Sequence, residues 1–483
     1  MIYKNSMKKL FLLLALTFFS AQSFAGSCPD GSDPVKSISA DGTYFVYNCG
    51  GDSNNAKDTK ESEAESPSSK SGFTQVTPSV SSTNISMPTY FFTDEINKTC
   101  KVKKGEIESV SVVVDDWDLT DPDTYEWLEN LQHYSWVKDH AKRSNSLDVH
   151  HLQLTDRLGF VNTAITNSII DGTMETQAPK AIDLMITWAE AGVIMDSTSV
   201  AEIQAMRKAG TFTRCYKGKG DEKAVCHWHT TQEAARYAGQ FAIIATMVQP
   251  YMNYKQLTIT EDYLNAMYKK YINPWYFSSG SGDTEGIGFY QMGHGAISML
   301  AYAHWKNDKK LATYAFESTF KFIDDVVFDD GLINNNSFRG VRGYWYHSLA
   351  LNNMLGMVAL AEEWNYPVQD EIYNKLTSAV EFLNRDSVEH LAWLEGLKKY
   401  NVSNGNPYTK YKGKEVYLGN VSWKHKNARN HIHQQGVFLD YLAETYTKAS
   451  FNKDSKEYKI YNHKKRNKTN DKQLGFNPTC ITK

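Results

Sequence analysis

The chain has no apolar run long enough to cross a bilayer. Its most hydrophobic stretch, residues 10–19, falls well short of the roughly 20 residues that a spanning helix needs. Net charge is scarce as well. A formal charge of −3, from 52 Lys+Arg against 55 Asp+Glu, excludes a general field for capturing polyanions, so such a preference must come from local patches. Strand-like runs are few, residues 110–114 being one, and no fixed-period repeat favours a helical solenoid over other helical forms. Cysteines number only six, too few for a scaffold that relies on disulfides throughout, yet enough for complete pairing.

What is present begins with an export pattern. Lys4, Lys8 and Lys9 precede the apolar run, and the small-residue site Ser23-Phe24-Ala25 follows it. That layout reads as a signal peptide, residues 1–25, cut after Ala25, and predicts a periplasmic or secreted protein; an uncleaved N-terminal anchor is the alternative. Export permits disulfides. Short loops close at the least entropic cost, which pairs Cys28 with Cys49 and Cys215 with Cys226, leaving Cys100 for Cys480; other connectivities stay open.

Residues 26–50 then form a small disulfide-closed segment, with Asp41-Gly42 as a turn and residues 43–47 as a strand. Residues 51–90 are rich in Ser, Asn, Lys and Glu and read as a disordered linker. Residues 91–483 form the main domain. From Asp121-Pro122 its pattern turns helical, first with Tyr125, Leu128, Leu131 and Trp136 as apolar positions. Apolar residues then recur at helical spacing around 165–170 and 182–189, and over 231–250, 260–272, 294–306, 310–328, 343–364 and 369–384. The expected class is all-α, with an incomplete α/α toroid of paired helices as its leading form.

The most informative stretch is Asp330-Gly331-Leu332 followed by Phe338-Arg339-Gly340-Val341-Arg342-Gly343-Tyr344-Trp345-Tyr346-His347-Ser348-Leu349-Ala350-Leu351. It resembles the signature of the alginate (mannuronate) lyases of polysaccharide lyase family 5, approximately D-G, a spacer, then R-G-x-R-A-L-x-Y-H-x-x-A-L. Gly343-Tyr344 replaces the family's Ala-Leu. Upstream, Gln291-Met292-Gly293-His294 aligns with the family's Asn-Asn-His, with Gly293 where the second Asn stands, and Trp393-Leu394-Glu395 echoes a late Trp-Leu-Glu. The resemblance covers residues 120–450. It implies the incomplete α/α toroid, catalytic roles for Arg339, Tyr346 and His294, and no metal or other cofactor. It further implies substrate contacts among Gln291, Arg342, Trp345, His347 and Trp393. Because the absent Asn helps neutralise the substrate carboxylate, Gln291 or Arg342 is expected to take that task.

These residue types suit β-elimination. The C5 proton of a uronate is weakly acidic, so its carboxylate must be neutralised before a base removes it and an acid protonates the departing C4 oxygen. Tyrosine acts as that base only when ionised, and its reference pKa of about 10 means roughly 4 kcal/mol of differential stabilisation near neutrality. Tyrosine can serve as base and then acid on one face; otherwise the histidine is base and the tyrosine acid. Each residue also has a plainer reading. Tyr346 and His347 fit the core of a helix starting near Gly343, His294 fits a buried histidine, Arg339 a surface arginine, and Glu395 a structural ion-pair partner.

Between Gly396 and Asn430, basic residues including Lys410, Lys412 and Lys414 face only Glu415 as an acid, with Tyr400, Tyr408, Tyr411, Tyr417 and Trp423 interleaved. Such a loop could line a groove for an anionic polysaccharide or be a solvated face; nucleic acid is not expected in an exported protein. The pairs His227/His229 and His431/His433, with His425, supply no clear convergent ligand set, so no metal site is expected. The overall expectation is a monomeric polysaccharide lyase. The alternatives are a glycoside hydrolase, for which Asp329, Asp330 and Glu285 are candidate carboxylates, and a non-catalytic glycan-binding protein on the same scaffold.

Overall fold

A computed structural model describes residues 35–38, 45–48, 85–97, 146–195, 199–211, 227–273, 289–340, 343–385, 389–390, 392–394, 408–418, 438–452, 470–471 and 473–481. At several helix ends, including 146–154, 227–232 and 289–294, the description covers the backbone alone. The chain divides into two compact units, Met1–Ser69 and Lys70–Lys483.

In the first unit, β1 (Val35–Ile38) and β2 (Phe45–Asn48) pair antiparallel, with Val35 opposite Asn48 and Ile38 opposite Phe45. The expected strand at 43–47 therefore exists, shifted by about a residue. Cys28 and Cys49 lie outside the described residues, as do Cys100, Cys215 and Cys226.

The second unit carries ten α-helices among the described residues: α1 (Ser146–Asp171), α2 (Met174–Glu190), α3 (Val200–Lys208), α4 (His227–Val248), α5 (Tyr254–Met267), α6 (Phe289–Trp305), α7 (Lys309–Val326), α8 (Gly343–Glu363), α9 (Asp370–Leu383) and α10 (Leu439–Tyr446). The class is all-α, as the periodicity predicts; α7, α8 and α9 end within two residues of the expected spans, whereas α4, α5 and α6 begin four to six residues earlier than expected. Capping explains two starts. Asn253 accepts from the Gln256 N–H at 3.0 Å while the Gln256 side chain accepts from the Asn253 N–H at 2.9 Å, and Asp308 accepts from the Leu311 N–H at 3.0 Å. The helix expected from Asp121 lies outside the described residues.

Packing follows amphipathicity. α7 and α9 each bury one face, the first through Ala312, Phe316, Phe320 and Ile323, the second through Ile372, Leu376, Ala379 and Leu383. α8 is apolar all round and almost wholly buried from Gly343 to Ala361. Accordingly α1, α4, α6, α8 and α10 form a row in which each touches the next. α2, α5, α7 and α9 flank it, with α2 against α5 and α7 against α9. Among the described residues no helix is long and apolar enough to cross a membrane.

Chain ends close this arrangement. Residues 85–90, the tail of the expected linker, are packed: Ile85 is buried, the Ser86 N–H bonds the Trp364 carbonyl at 2.9 Å, and Pro88 receives His304 Nε2 at 2.7 Å. The linker expectation is corrected there, because Ile85, Phe91 and Phe92 supply the apolar anchors that the preceding polar stretch lacks. Phe91 and Phe92 pack on Phe476, Ile96 bridges Ile481, and the Asn97 N–H bonds the Cys480 carbonyl at 2.8 Å. Cys480 is buried and disulfide-bonded, with its partner outside the described residues.

Candidate functional site

The motif around Arg339 divides between a turn-rich loop, residues 327–340, and the first turns of α8. The loop starts with a bridge between Val327 and Ile333 and is closed by bonds from the Phe328 N–H to the Leu332 carbonyl and from the Ser337 N–H to the Ile333 carbonyl, both 2.9 Å. Gly331 takes φ +84°, and a Cβ there would lie 1.9 Å from the Ser378 carbonyl oxygen, so only glycine lets the loop lie against α9. Gly343 opens α8 under similar pressure: a Cβ would sit 2.5 Å from the Ser337 carbonyl oxygen. That contact leaves no room for a side chain at position 343.

Arg339 and Tyr346 come together. The guanidinium carbon lies 4.4 Å from the Tyr346 ring centre, with Arg339 7% and Tyr346 9% exposed. Arg339 Nε donates to the Asn335 carbonyl at 2.6 Å, and Asn336 Nδ2 donates to the Tyr346 carbonyl at 3.1 Å. The first bond fixes the arginine within the loop, and the second ties the loop to the helix. Trp345, half-buried, lies against the Tyr346 ring at 4.5 Å. Such a cation–ring contact in a desolvated place is worth about 2 kcal/mol or more, and it sets the cation beside the tyrosine.

His347 does not reach toward solvent. It is 0% exposed, Nδ1 meets Ser337 Oγ at 2.8 Å, and Nε2 meets the Ala379 carbonyl at 2.9 Å. Ser337 Oγ already accepts from the Ile333 N–H at 2.6 Å, so its own proton goes to Nδ1, and His347 carries its proton on Nε2. Burial pushes its pKa down to about 3, against the Ala379 bond and with help from His390 and Arg385. The expected substrate contact is corrected to a buried support, because both ring nitrogens are engaged. A histidine beside a tyrosine in sequence looks available; the helix turns it about 100° away, toward Ser337 and α9.

His390, absent from the sequence reading, joins the same support. Its Nε2 donates to the Ser337 carbonyl at 3.0 Å, and burial lowers its pKa to about 4, with the Ser337 bond opposing and Arg385 assisting. Its ring lies 5.4 Å from that of Trp393, which is 36% exposed and also touches Phe338 and Tyr411. Trp393 therefore stands beside the residue preceding Arg339.

Tyr411 belongs to a hairpin, β3 (Tyr408–Tyr411) with β4 (Lys414–Tyr417), inside the stretch read as a flexible basic loop. Lys412 and Gly413 both take positive φ, 45° and 80°, which closes a two-residue turn. Much of the basic charge described there is engaged. Lys412 pairs with Asp330 at 3.1 Å, Lys414 donates to the Asp325 carbonyl at 2.7 Å, and Lys410 stands opposite Glu415. Tyr411 donates to Asp330 as well. Burial raises the Asp330 pKa, but the Tyr411 and Lys412 bonds and the Lys412 charge outweigh it and hold the carboxylate below its ordinary value. A carboxylate held ionised by two donors is poorly suited to donate a proton as a glycosidase acid.

His294 and Gln291 lie in α6, which packs directly against α8, but their side chains are outside the described residues. Arg342 and Glu395 lie outside them entirely, and so do Glu285, His425, His431 and His433. Among the described residues no three His, Cys, Asp or Glu side chains converge as metal ligands. No protein-family model matches this chain, and neither does any curated protein.

Proposed function

We propose that this chain is a polysaccharide lyase that cleaves a uronic-acid-containing polysaccharide, alginate-like or polymannuronate-like, by β-elimination. The contact of Arg339 with the Tyr346 ring carries the reading. Tyr346 lies in the first turns of α8, tied through its carbonyl to Asn336 of the loop that bears Arg339. The pair brings together a tyrosine from the helix and a cation from the loop, the proton-exchanging group and the carboxylate-neutralising group that the elimination calls on.

In this mechanism the uronate carboxylate is neutralised by Arg339 together with Gln291 or Arg342. The C5–H bond breaks, its proton passes to Tyr346 or His294, and the electron pair forms the C4=C5 double bond. The C4–O bond breaks, and the departing oxygen takes a proton from Tyr346. Position 294 lies on α6, the neighbour of α8. A central row of helices, each touching the next and flanked by further helices, supports the reading of an incomplete toroid of pairs. The export pattern suits a protein acting on an extracytoplasmic polymer, here as a monomer.

Ultraviolet absorbance of the unsaturated end tests the reaction directly. Incubation with polymannuronate, polyguluronate, glucuronan and acidic capsular polysaccharides should raise absorbance with at least one. New reducing ends without absorbance would favour a hydrolase instead, and binding without either product a non-catalytic glycan-binding protein.

A further inference from the structure

We propose that Ser337 and His347 form a latch that holds Arg339 over Tyr346, making both positioning residues for the elimination. The latch runs through three elements. The Ile333 N–H bonds Ser337 Oγ at 2.6 Å, the Ser337 hydroxyl bonds His347 Nδ1 at 2.8 Å, and His347 Nε2–H bonds the Ala379 carbonyl of α9 at 2.9 Å. Ile333, Ser337, His347 and Ala379 are all fully buried. The loop that bears Arg339, the helix that bears Tyr346 and the outer helix α9 are thereby joined through one hydroxyl and one imidazole.

Placement gives the latch its functional sense. His347 directly follows Tyr346, and Arg339 lies two positions beyond Ser337. A shift between loop and helix at the latch is therefore delivered to the 4.4 Å contact almost undiminished. The Ser337 carbonyl adds a third constraint, held by His390 at 3.0 Å and pressed by the start of α8 at Gly343. Loss of the serine hydroxyl strands the Ile333 N–H and the Nδ1 lone pair in a dry site, and the loop must move to resatisfy them. Misplacement of a catalytic pair by about 1 Å is enough to cost on the order of a hundredfold in rate.

The consequence for rate rests on the lyase reading; the geometric claim does not. The test uses the full chain labelled with 3-fluorotyrosine, the Tyr346 resonance being assigned by its loss in Tyr346→Phe. Ser337→Ala should shift that resonance and lower kcat at least about tenfold, with KM nearly unchanged. Ser337→Thr keeps the hydroxyl and should restore both. An unmoved Tyr346 resonance in Ser337→Ala, or a raised KM with kcat intact, overturns the latch. Should Ser337→Ala fail to fold, His347→Asn is read by the same criteria, since it keeps an acceptor for Ser337 and loses the Ala379 arm. If no polymer is cleaved by the parent protein, the lyase reading falls, and the resonance comparison alone decides the latch.

Discussion

Arg339 lays its guanidinium group over the face of the Tyr346 ring, 4.4 Å from carbon to ring centre, with both side chains almost withdrawn from solvent. The loop supplies the cation and the helix supplies the phenol, so neither element alone makes the pair.

Tyr346→Phe removes one hydroxyl and leaves the ring for Arg339 to cover. Turnover should vanish while the melting temperature changes little. Formation of unsaturated ends by the variant at even a tenth of the parent rate would take Tyr346 out of the chemistry.

Arg339→Ala should reduce kcat/KM by orders of magnitude, and Arg339→Lys should recover only part of it. Lysine keeps the charge but lacks the planar group that stacks on the ring and can also bond a carboxylate. Steady-state kinetics on the best polymer measure both; full recovery by lysine would mean that charge alone suffices.

Gly331→Ala tests the loop as a mechanical part. Its Cβ would collide with the Ser378 carbonyl at a backbone angle that alanine disfavours, so a loss of more than about 2 kcal/mol is expected from denaturant unfolding. Neutral stability in this variant would mean that the loop does not rest on α9 as described.

Acid should weaken the fold through His347 and His390. Their folded pKa values, about 3 and about 4, lie below the ordinary histidine value of about 6.5. The unfolded chain therefore binds protons that the folded chain refuses, and their contribution, complete above about pH 6.5, is lost as pH falls toward 4. Melting temperatures between pH 7.5 and 4.5 should show the decline, and His347→Asn should flatten it. An unchanged slope would mean that His347 is not held neutral in the core.

Asp471 works in the other direction. Burial raises its pKa to about 6, against N–H bonds from Leu474 and Gln473, the Asn352 bond and the Arg236 charge. Its contribution is complete below the unfolded value near 4 and is lost as pH rises through 6. Asp471→Asn should therefore raise the melting temperature more at pH 7.5 than at pH 4.5. Equal changes at the two pH values would contradict that sign.

Much of the helical order was legible because periodicity and capping are local properties. The apolar positions of 231–250, 310–328 and 369–384 anticipate α4, α7 and α9, and the Arg339–Tyr346 motif is contiguous enough to be read along the chain. The hairpin at 408–417 was hidden because its turn is Lys412-Gly413 and its strands are short and charged. Tertiary structure alone decided which histidine faces what. His347 stands beside Tyr346 in sequence, yet the helix sends it to Ser337 and Ala379, and His390 arrives from another segment to hold Ser337. The tail was equally unreadable: Asn162 Nδ2 bonds the Gly475 carbonyl across almost the whole domain, at 2.5 Å. Helices follow from neighbours three and four residues apart; the support behind Arg339 and Tyr346 depends on bonds between segments far apart in sequence, which buried polar groups must find only once the chain has packed.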